Sequence, residues 1–194
     1  MALVADSETA VIQLLAQACD ALIEGETMQL RSAWDPSLTT GRYLGIIERK
    51  TAALLATCAE LGALAAGGTD EELKALRAYG RHLGLAFQIR DDVLDLVSGR
   101  EMLGKPTASD LDRGLLSLAA LHALRVCPEL AASVRERDPG PLKAAILQTG
   151  SIEQAMNAAR SQSENAVAAL APVPSSAVRD ELVRLARWAA DRDR

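Results

Sequence analysis

The chain has 194 residues, of which 49% are hydrophobic, 24% charged and only 3% aromatic, and its formal net charge is -5. This length and composition suit a single domain with a buried core and exclude disordered, collagen-like and disulfide-stapled classes. Lys and Arg are scattered among the acids, so the chain lacks the basic stripe that nucleic-acid binding needs, and we expect no nucleic-acid partner.

The amino-terminal segment MALVADSETA has no positively charged region, and no apolar run in the sequence is long enough to cross a bilayer. We therefore expect a cytoplasmic protein that is not transmembrane. Cys19, Cys58 and Cys127 are odd in number, widely spaced and set among apolar residues. This pattern predicts buried structural thiols without a metal or disulfide role.

Alanine and leucine dominate the composition, which favours helices throughout. The first helix is predicted from about Glu8 to Leu30, where apolar residues recur at helical spacing before a break around Pro36. A second helix is predicted from about Gly41 to the Gly67-Gly68 pair. Thr69 with Glu72 has the form of a capping box, which predicts a third helix from Asp70 to about Val97.

A loop with Gly99, Gly104 and Pro106 precedes a predicted helix from about Asp110 to Val126. Further breaks are predicted at residues 139–141 and 172–174, with Ser151 and Gln154 as a possible cap between them and a final amphipathic helix after them. Long helices joined by short loops imply antiparallel packing. The predicted fold is therefore an all-α antiparallel helical bundle, with residues 1–194 as a single domain.

Three acids lie within the otherwise apolar helical segment of residues 79–96. At about 100° per residue, Gln88, Asp91, Asp92 and Asp95 share an arc of roughly 100°. Clustered carboxylates on an apolar helix repel one another unless cations neutralise them, and oxygen ligands of this kind suit Mg²⁺ bridged to phosphates. The segment therefore predicts a magnesium-diphosphate site, with a solvated acidic patch as the alternative.

Gly80 and Gly84 continue this face toward the amino end of the same helix. Their missing side chains fit two interpretations. Either they leave room for an apolar substrate tail beside the acids, or they allow close packing of a neighbouring helix.

Four segments, in order, carry a family resemblance. Residues 87–95, FQIRDDVLD, resemble the second aspartate-rich motif, FQxxDDxxD, of the trans-polyprenyl diphosphate synthases. Residues 24–29 are similar to that family's GExxQ helix, residues 43–52 to its YxxxIxxKTA segment, and residues 104–111 to its GKPxGxDL loop. The resemblance implies the carboxyl-terminal half of a polyprenyl synthase, with part of the isoprenoid synthase (terpenoid synthase-like) fold.

By this resemblance, Asp91, Asp92 and Asp95 would bind Mg²⁺ on an allylic diphosphate, and Lys50 and Lys105 would contact its oxygens. Gln88 would orient a ligand or a carboxylate, or else form a helix–helix hydrogen bond. The family's reaction ionises the allylic C–O bond where cationic charge stabilises the departing diphosphate. The double bond of isopentenyl diphosphate then attacks the allylic cation.

The sequence departs from the family in two places. No cluster resembles the first DDxxD motif, and Leu115 stands where the family's GKxTLP segment has a lysine. We therefore expect a subunit of a heteromeric trans-prenyltransferase, inactive or weakly active alone, whose partner chain supplies the first motif; self-association through residues 8–33 is also expected. The alternatives are a non-catalytic regulatory or binding subunit and a terpene cyclase-like protein, and product chain length is not specified by these residues.

The remaining residues are expected to be structural. Trp34 and Trp188 are interpreted as packing anchors, and His82 and His122 as hydrogen-bonded or exposed helical residues, because neither has a partner at metal-binding spacing. Residues 191–194, DRDR, are interpreted as a solvated chain end, with contact between an arginine and diphosphate as the alternative.

Overall fold

The computed structural model describes residues 7–98 and 110–192, and every regular element in these two ranges is a helix. The all-α prediction is therefore confirmed. The α-helices are α1 (Ser7–Arg31), α2 (Thr40–Ile47), α3 (Ala53–Ala65), α4 (Asp70–Ser98), α5 (Leu118–Val126), α6 (Ala131–Arg135), α7 (Gly140–Gln148), α8 (Ser151–Ala169) and α9 (Ala177–Asp191). A π turn (Glu48–Ala52) joins α2 to α3, and 3₁₀ turns lie at Asp110–Arg113 and Pro128–Leu130.

The 29-residue helix α4 lies at the centre of the fold. Its most extensive contacts are with α8 and α3, and α9 packs on both α4 and α8. The predicted capping box at its start is confirmed, because the Thr69 amide donates to Glu72 Oε2 over 2.7 Å and the Glu72 amide donates to Thr69 Oγ1 over 3.3 Å. Within the described residues, no helix is long and apolar enough to span a membrane.

Small side chains allow these helices to approach closely. Ala52, Ala86, Ala120, Ala159 and Ala186 are completely buried. The main core lies between α2, α4, α5, α7 and α8, and a second core forms where α4, α8 and α9 meet. Interiors filled by alanine need few aromatic residues, which accounts for the low aromatic content of the sequence.

The π turn was not predicted, since the sequence indicated one uninterrupted helix from Gly41. Its backbone lies against α1: a Cβ added to Gly25 would stand 2.4 Å from the Lys50 amide nitrogen. Glycine at position 25 therefore lets α1 contact the π turn directly. π turns within α-helices occur frequently at functional sites.

Gly80 and Gly84 serve helix packing. A Cβ on Gly80 would lie 2.4 Å from the Leu55 carbonyl oxygen, and one on Gly84 would lie 2.5 Å from Ala52 Cα. Both glycines face the backbone of the π turn and α3, so no space is left there for a substrate. The close-packing interpretation is correct and the groove interpretation is wrong.

The predicted helix from Asp110 to Val126 is wrong in its first half. Gly114 has φ +78°, and a Cβ there would lie 2.3 Å from the ring of Trp34, whose amide donates to the Gly114 carbonyl over 2.9 Å. This contact confirms Trp34 as a packing anchor. The left-handed glycine interrupts the chain, and α5 begins only after the Ser117 cap.

Three smaller predictions also differ from the structure. Gly150, with φ +68°, precedes α8 where Ser151 was expected as the cap. Cys19 and Cys58 are exposed rather than buried, because they lie on outward faces of α1 and α3. Trp188 is half exposed and does not anchor the core.

We expect Gly84→Ala to destabilise the fold by about 1–3 kcal/mol, because the new methyl group meets the Ala52 backbone, which cannot move aside. Gly62→Ala is the matched control: nothing lies within 4 Å of its Cβ position, so it should stabilise α3 by about 0.5–1 kcal/mol. Urea unfolding of the two variants measures the difference. Equal free energies of unfolding for the Gly84→Ala and Gly62→Ala variants would contradict the packing role of Gly84.

Candidate functional site

Asp92 is held by side chains from two helices. Tyr43 Oη on α2 donates to Asp92 Oδ2 over 2.7 Å, and Gln88 Nε2, one turn earlier on α4, donates to Asp92 Oδ1 over 2.8 Å. Thr51 Oγ1 in the π turn donates to Gln88 Oε1 over 2.6 Å, which fixes the orientation of the amide. Gln88 thus contacts the Asp92 carboxylate and links α4 to the π turn.

Burial raises the pKa of Asp92 to about 6, although the bonds from Tyr43 and Gln88 oppose this shift. The neighbouring charges of Asp110 and Asp91 raise the pKa of Asp92 further. The pKa of Tyr43 is also raised, mainly by burial and then by the adjacent Asp92 carboxylate. Ionised Asp92 is therefore costly in the metal-free protein, and a cation would relieve that cost.

Asp92 and Asp95 line a small pocket, which we call the aspartate pocket, together with Gln29 of α1, Asp110 of the first 3₁₀ turn and Ser117, the cap of α5. The Asp110 amide donates to Asp95 Oδ2 over 2.8 Å, which connects the 3₁₀ turn at Asp110–Arg113 to the end of α4. Burial raises the pKa of Asp95 as well. The pocket has a volume of about 10 Å³, so it has room for one water or ion and a larger ligand would lie at its mouth.

Lys50 lies beside this pocket without entering it. Its Nζ donates to Gln29 Oε1 over 2.8 Å and forms an ion pair with Glu26 at 3.3 Å. The Lys50 side chain is three-quarters buried, and its two partners belong to the GExxQ segment on α1. Lys105, the other predicted diphosphate contact, lies outside the described residues.

Asp91 is separated from the other two acids. Its carboxylate is half exposed and accepts a hydrogen bond of 2.8 Å from Arg192 Nη2, and the Arg192 guanidinium stacks on the Phe87 ring with 3.9 Å to the centroid. Arg192 is 90% buried, and its Nε is buried without a hydrogen-bond partner. The prediction of a solvated chain end is therefore wrong for Arg192.

Helical spacing placed the three carboxylates within one arc, but their partners divide them between the pocket and Arg192. No group of three or more acidic, His or Cys side chains in the described ranges is close enough to hold a metal ion by itself. The oxygens of Asp92 and Asp95 fit Mg²⁺ in kind, since they are hard ligands around one pocket. A complete ligand set would need further oxygens from water, diphosphate or another chain.

Sequence reasoning missed three contributors to this site. Tyr43 was recognised only as a motif residue, although a tyrosine on the buried face of a helix needs a hydrogen-bond partner. Asp110 belongs to the segment that resembles the GKPxGxDL loop, but it was not predicted to line a pocket with the other acids. Arg192 had no local signal, because its contact with Asp91 depends on how α9 ends against α4.

The two histidines are satisfied helical residues, as predicted. His82 Nδ1 lies 2.7 Å from Gln162 Oε1, and His122 Nδ1 lies 2.9 Å from Ser151 Oγ. Leu115, which replaces the family's lysine, lines the aspartate pocket, so an apolar side chain stands where the family has a positive charge.

The sequence is similar to one family of known proteins. The family model of the polyprenyl synthetases matches residues 1–147. The chain is 37% identical over 193 residues to the octaprenyl diphosphate synthase of Escherichia coli (strain K12), covering 95% of this chain and 60% of that protein. It is 36% identical over 187 residues to heptaprenyl diphosphate synthase component 2 of Geobacillus stearothermophilus, covering 93% and 58% of the two chains.

Solved structures agree with these sequence matches. A decaprenyl diphosphate synthase from Rhodobacter capsulatus superposes with a TM-score of 0.87 and 31% identity, covering 96% of this chain and 60% of that one. A polyprenyl synthase from Caulobacter crescentus CB15, complexed with calcium and isoprenyl diphosphate, gives a TM-score of 0.86 and 34% identity, covering 98% and 61%. The chain thus spans about three fifths of the length of these relatives.

We expect Asp92→Asn to stabilise the metal-free chain at pH 8. Asparagine carries no buried charge, and its Oδ1 can still accept a hydrogen bond from Tyr43 or Gln88. The folded pKa of Asp92 is about 6, above the value of about 3.9 in an unfolded chain, so the folded state holds the extra proton between these values. Stability should therefore fall as the pH rises through this window, by about 2–3 kcal/mol, and stay low above it.

Urea unfolding of both proteins between pH 4 and 8 measures this effect. Asp95 contributes in the same direction, since its pKa is also raised, so the Asp92→Asn variant should keep a weaker pH dependence. Asp191→Asn is the control; it removes the charge of an exposed acid that pairs with Arg160 and should bring no gain at pH 8. Equal stabilisation by both variants would contradict the account of Asp92.

Proposed function

Because this chain belongs to the polyprenyl synthetase family, we propose that it is a subunit of a heteromeric trans-prenyltransferase. In this proposal it corresponds to the carboxyl-terminal half of a synthase and supplies the second aspartate-rich motif. The substrates are an allylic diphosphate and isopentenyl diphosphate, as expected from the resemblance. The named relatives, which are prenyl diphosphate synthases, support this class of reaction.

The observation that carries the proposal is the fixed orientation of Asp92. Two donors, Tyr43 and Gln88, approach its two oxygens from two helices, and Asp95 lines the same pocket. A buried acid with a raised pKa at a pocket is a candidate for binding charge that arrives with a ligand. A structural carboxylate would be expected to pair with a cationic side chain instead.

Asp92 and Asp95 would hold Mg²⁺ at the pocket mouth, with diphosphate and water supplying the other ligands. Bound there, the ion would neutralise the negative charge that develops on the departing diphosphate. Lys50 would bring a second positive charge to the diphosphate oxygens once Glu26 and Gln29 release it. Asp91 would become available to the metal only when its contact with Arg192 opens.

The partner in this proposal is a chain that carries the first aspartate-rich motif. Two observations support an association of this kind. The described acids do not form a complete metal-binding group, and one relative is named as a component of a heptaprenyl diphosphate synthase.

Helix α1 presents a surface suited to such association, which we call the α1 stripe. Four large apolar side chains on it are 40–69% exposed: Ile12, Leu15, Ile23 and Leu30. At about 100° per residue they fall within roughly 80° of one another, on a helix of 25 residues. Aligned exposed apolar residues of this extent are typical of interfaces, with either a partner chain or a second copy.

A non-catalytic regulatory subunit is the second candidate function. Two features favour it: Arg192 neutralises Asp91, and Leu115 lines the pocket in place of the family's lysine. Both reduce the positive charge or metal ligands available to a diphosphate. A subunit of this type would still bind its partner through the α1 stripe.

We expect Mg²⁺-dependent condensation of an allylic diphosphate with isopentenyl diphosphate when this chain is purified with a partner that carries the first motif. Asp92→Ala should reduce the rate by about 10²-fold or more, since it removes the oriented carboxylate. Asp91→Ala should reduce the rate less. The assay measures radiolabelled product with each variant in the intact complex.

Asp191→Asn serves as the control for this assay, because Asp191 is an exposed acid that pairs with Arg160 and does not line the pocket. It should leave the rate unchanged. Full activity in both the Asp91→Ala and Asp92→Ala complexes would reject the catalytic proposal and leave the regulatory one.

We expect Ile12→Glu combined with Ile23→Glu to abolish association through the α1 stripe, because it places two charges on an apolar contact. The matched control is Val178→Glu, which changes a 71%-exposed apolar residue on α9. Light scattering after size-exclusion chromatography measures the molecular mass alone and with the partner. A mass unaffected by the double substitution, with folding retained, would contradict this role of the α1 stripe.

A further inference from the structure

A second pocket lies between α2, α4, α5 and α8, and we call it the α2–α8 pocket. Its volume is about 370 Å³, within the range of small-molecule sites. It shares no lining residue with the aspartate pocket. The proposed prenyl transfer therefore leaves this pocket without a role.

The walls of the α2–α8 pocket are apolar. They are formed by Leu44, Ile89, Leu118, Leu121 and Ala158. Ile89 and Leu121 belong to the main buried core, so the pocket opens directly onto packed side chains. Walls of this kind favour a ligand with a hydrocarbon body.

The polar lining contains one cation and several side chains that can donate hydrogen bonds. Arg125 is exposed on α5 and carries a fixed positive charge, and no acid among the described residues lines the pocket. Gln162 Oε1 accepts a hydrogen bond of 2.7 Å from His82 Nδ1, which leaves the Gln162 amide NH₂ available as a donor. Thr40 and Ser161 add hydroxyl groups.

Hydrogen-bond directions also assign the tautomer of His122. Thr149 Oγ1 donates its hydrogen bond to the Ala145 carbonyl over 2.8 Å. It must therefore accept the hydrogen bond that Ser151 Oγ donates over 2.6 Å. Ser151 Oγ must then accept from His122 Nδ1 at 2.9 Å. His122 is therefore held as the Nδ1–H tautomer, which leaves Nε2 as a hydrogen-bond acceptor that suits the P–OH group of a singly protonated phosphate ester.

We propose that the α2–α8 pocket binds a small amphipathic anion, an organic phosphate ester with a short hydrocarbon chain, and that it does so without a divalent cation. The hydrocarbon lies on the walls formed by α4, α5 and α8. The phosphate lies at the rim, where the Arg125 guanidinium can donate two parallel hydrogen bonds to it. Hydroxyl and amide donors nearby satisfy the other phosphate oxygens.

The absence of a metal requirement separates this site from the aspartate pocket. Three acids line the aspartate pocket and would repel a phosphate unless a cation were bound, whereas the α2–α8 pocket has an arginine among its lining residues. The two sites can therefore be tested independently on the same protein.

The test is calorimetric titration of the full chain with geranyl monophosphate in excess EDTA. We expect saturable binding at one site per chain. Arg125→Gln should weaken binding by about tenfold, because it removes a charge-assisted contact. Ala158→Leu, which extends an apolar side chain into the pocket, should abolish it. Geraniol has the hydrocarbon chain without the phosphate, and inorganic phosphate lacks the hydrocarbon chain. Each should bind at least tenfold more weakly than the ester.

Arg135→Gln is the matched control, since Arg135 is an exposed arginine on α6 that does not line the pocket. It should bind like the unsubstituted chain, and thermal unfolding of all variants checks that they remain folded. The absence of saturable binding would overturn the proposal. It would also be overturned if Arg125→Gln and Ala158→Leu bound the ester as tightly as the unsubstituted chain does. Binding that needs Mg²⁺ and disappears in Asp92→Asn would assign the ligand to the aspartate pocket and also overturn it.

Discussion

The site depends on one constraint: a carboxylate removed from water must be held by donors whose positions are fixed by different helices. Asp92 meets this condition through Tyr43 on α2 and Gln88 on α4. Neither donor carries a positive charge, so the bonds orient the carboxylate without neutralising it. Burial therefore raises the pKa of Asp92 in spite of these bonds. An acid kept in this condition is suited to receive a cation with its ligand.

The helical packing supports this arrangement. Glycines at positions 80 and 84 bring α4 against α3 and the π turn, and Gly25 brings α1 against Lys50. These contacts place Thr51 within reach of Gln88 and Lys50 within reach of Gln29. The residues that hold the helices together and those that form the site are therefore interleaved along the same segments. Loss of either kind of residue would disturb the other.

Much of the fold followed from local sequence signals, because helical periodicity and capping boxes act over a few residues. The limits of α1 and α4 agree with prediction to within a residue or two, and the Thr69 box is present. The failures lie where distant contacts decide. Gly114 ends the predicted helix because Trp34, eighty residues earlier, packs on it, and Asp91 departs from its neighbours because Arg192 reaches it. Contacts between residues so far apart in the sequence cannot be predicted from the spacing of neighbouring residues.

The π turn has a further consequence for the spacing of the chain. Tyr43 and Thr51 are eight residues apart, and in a regular α-helix they would differ by about 80° in direction. Both nevertheless bond to neighbouring side chains on one face of α4. The extra residue in a π turn offsets about one residue's rotation and brings the two directions nearly into line. Loss of a single codon between these positions would leave the tyrosine and the threonine seven residues apart, which a regular α-helix keeps within about 20° of one direction. The chain could therefore exchange the π turn for ordinary helix by one deletion and still present both side chains to α4.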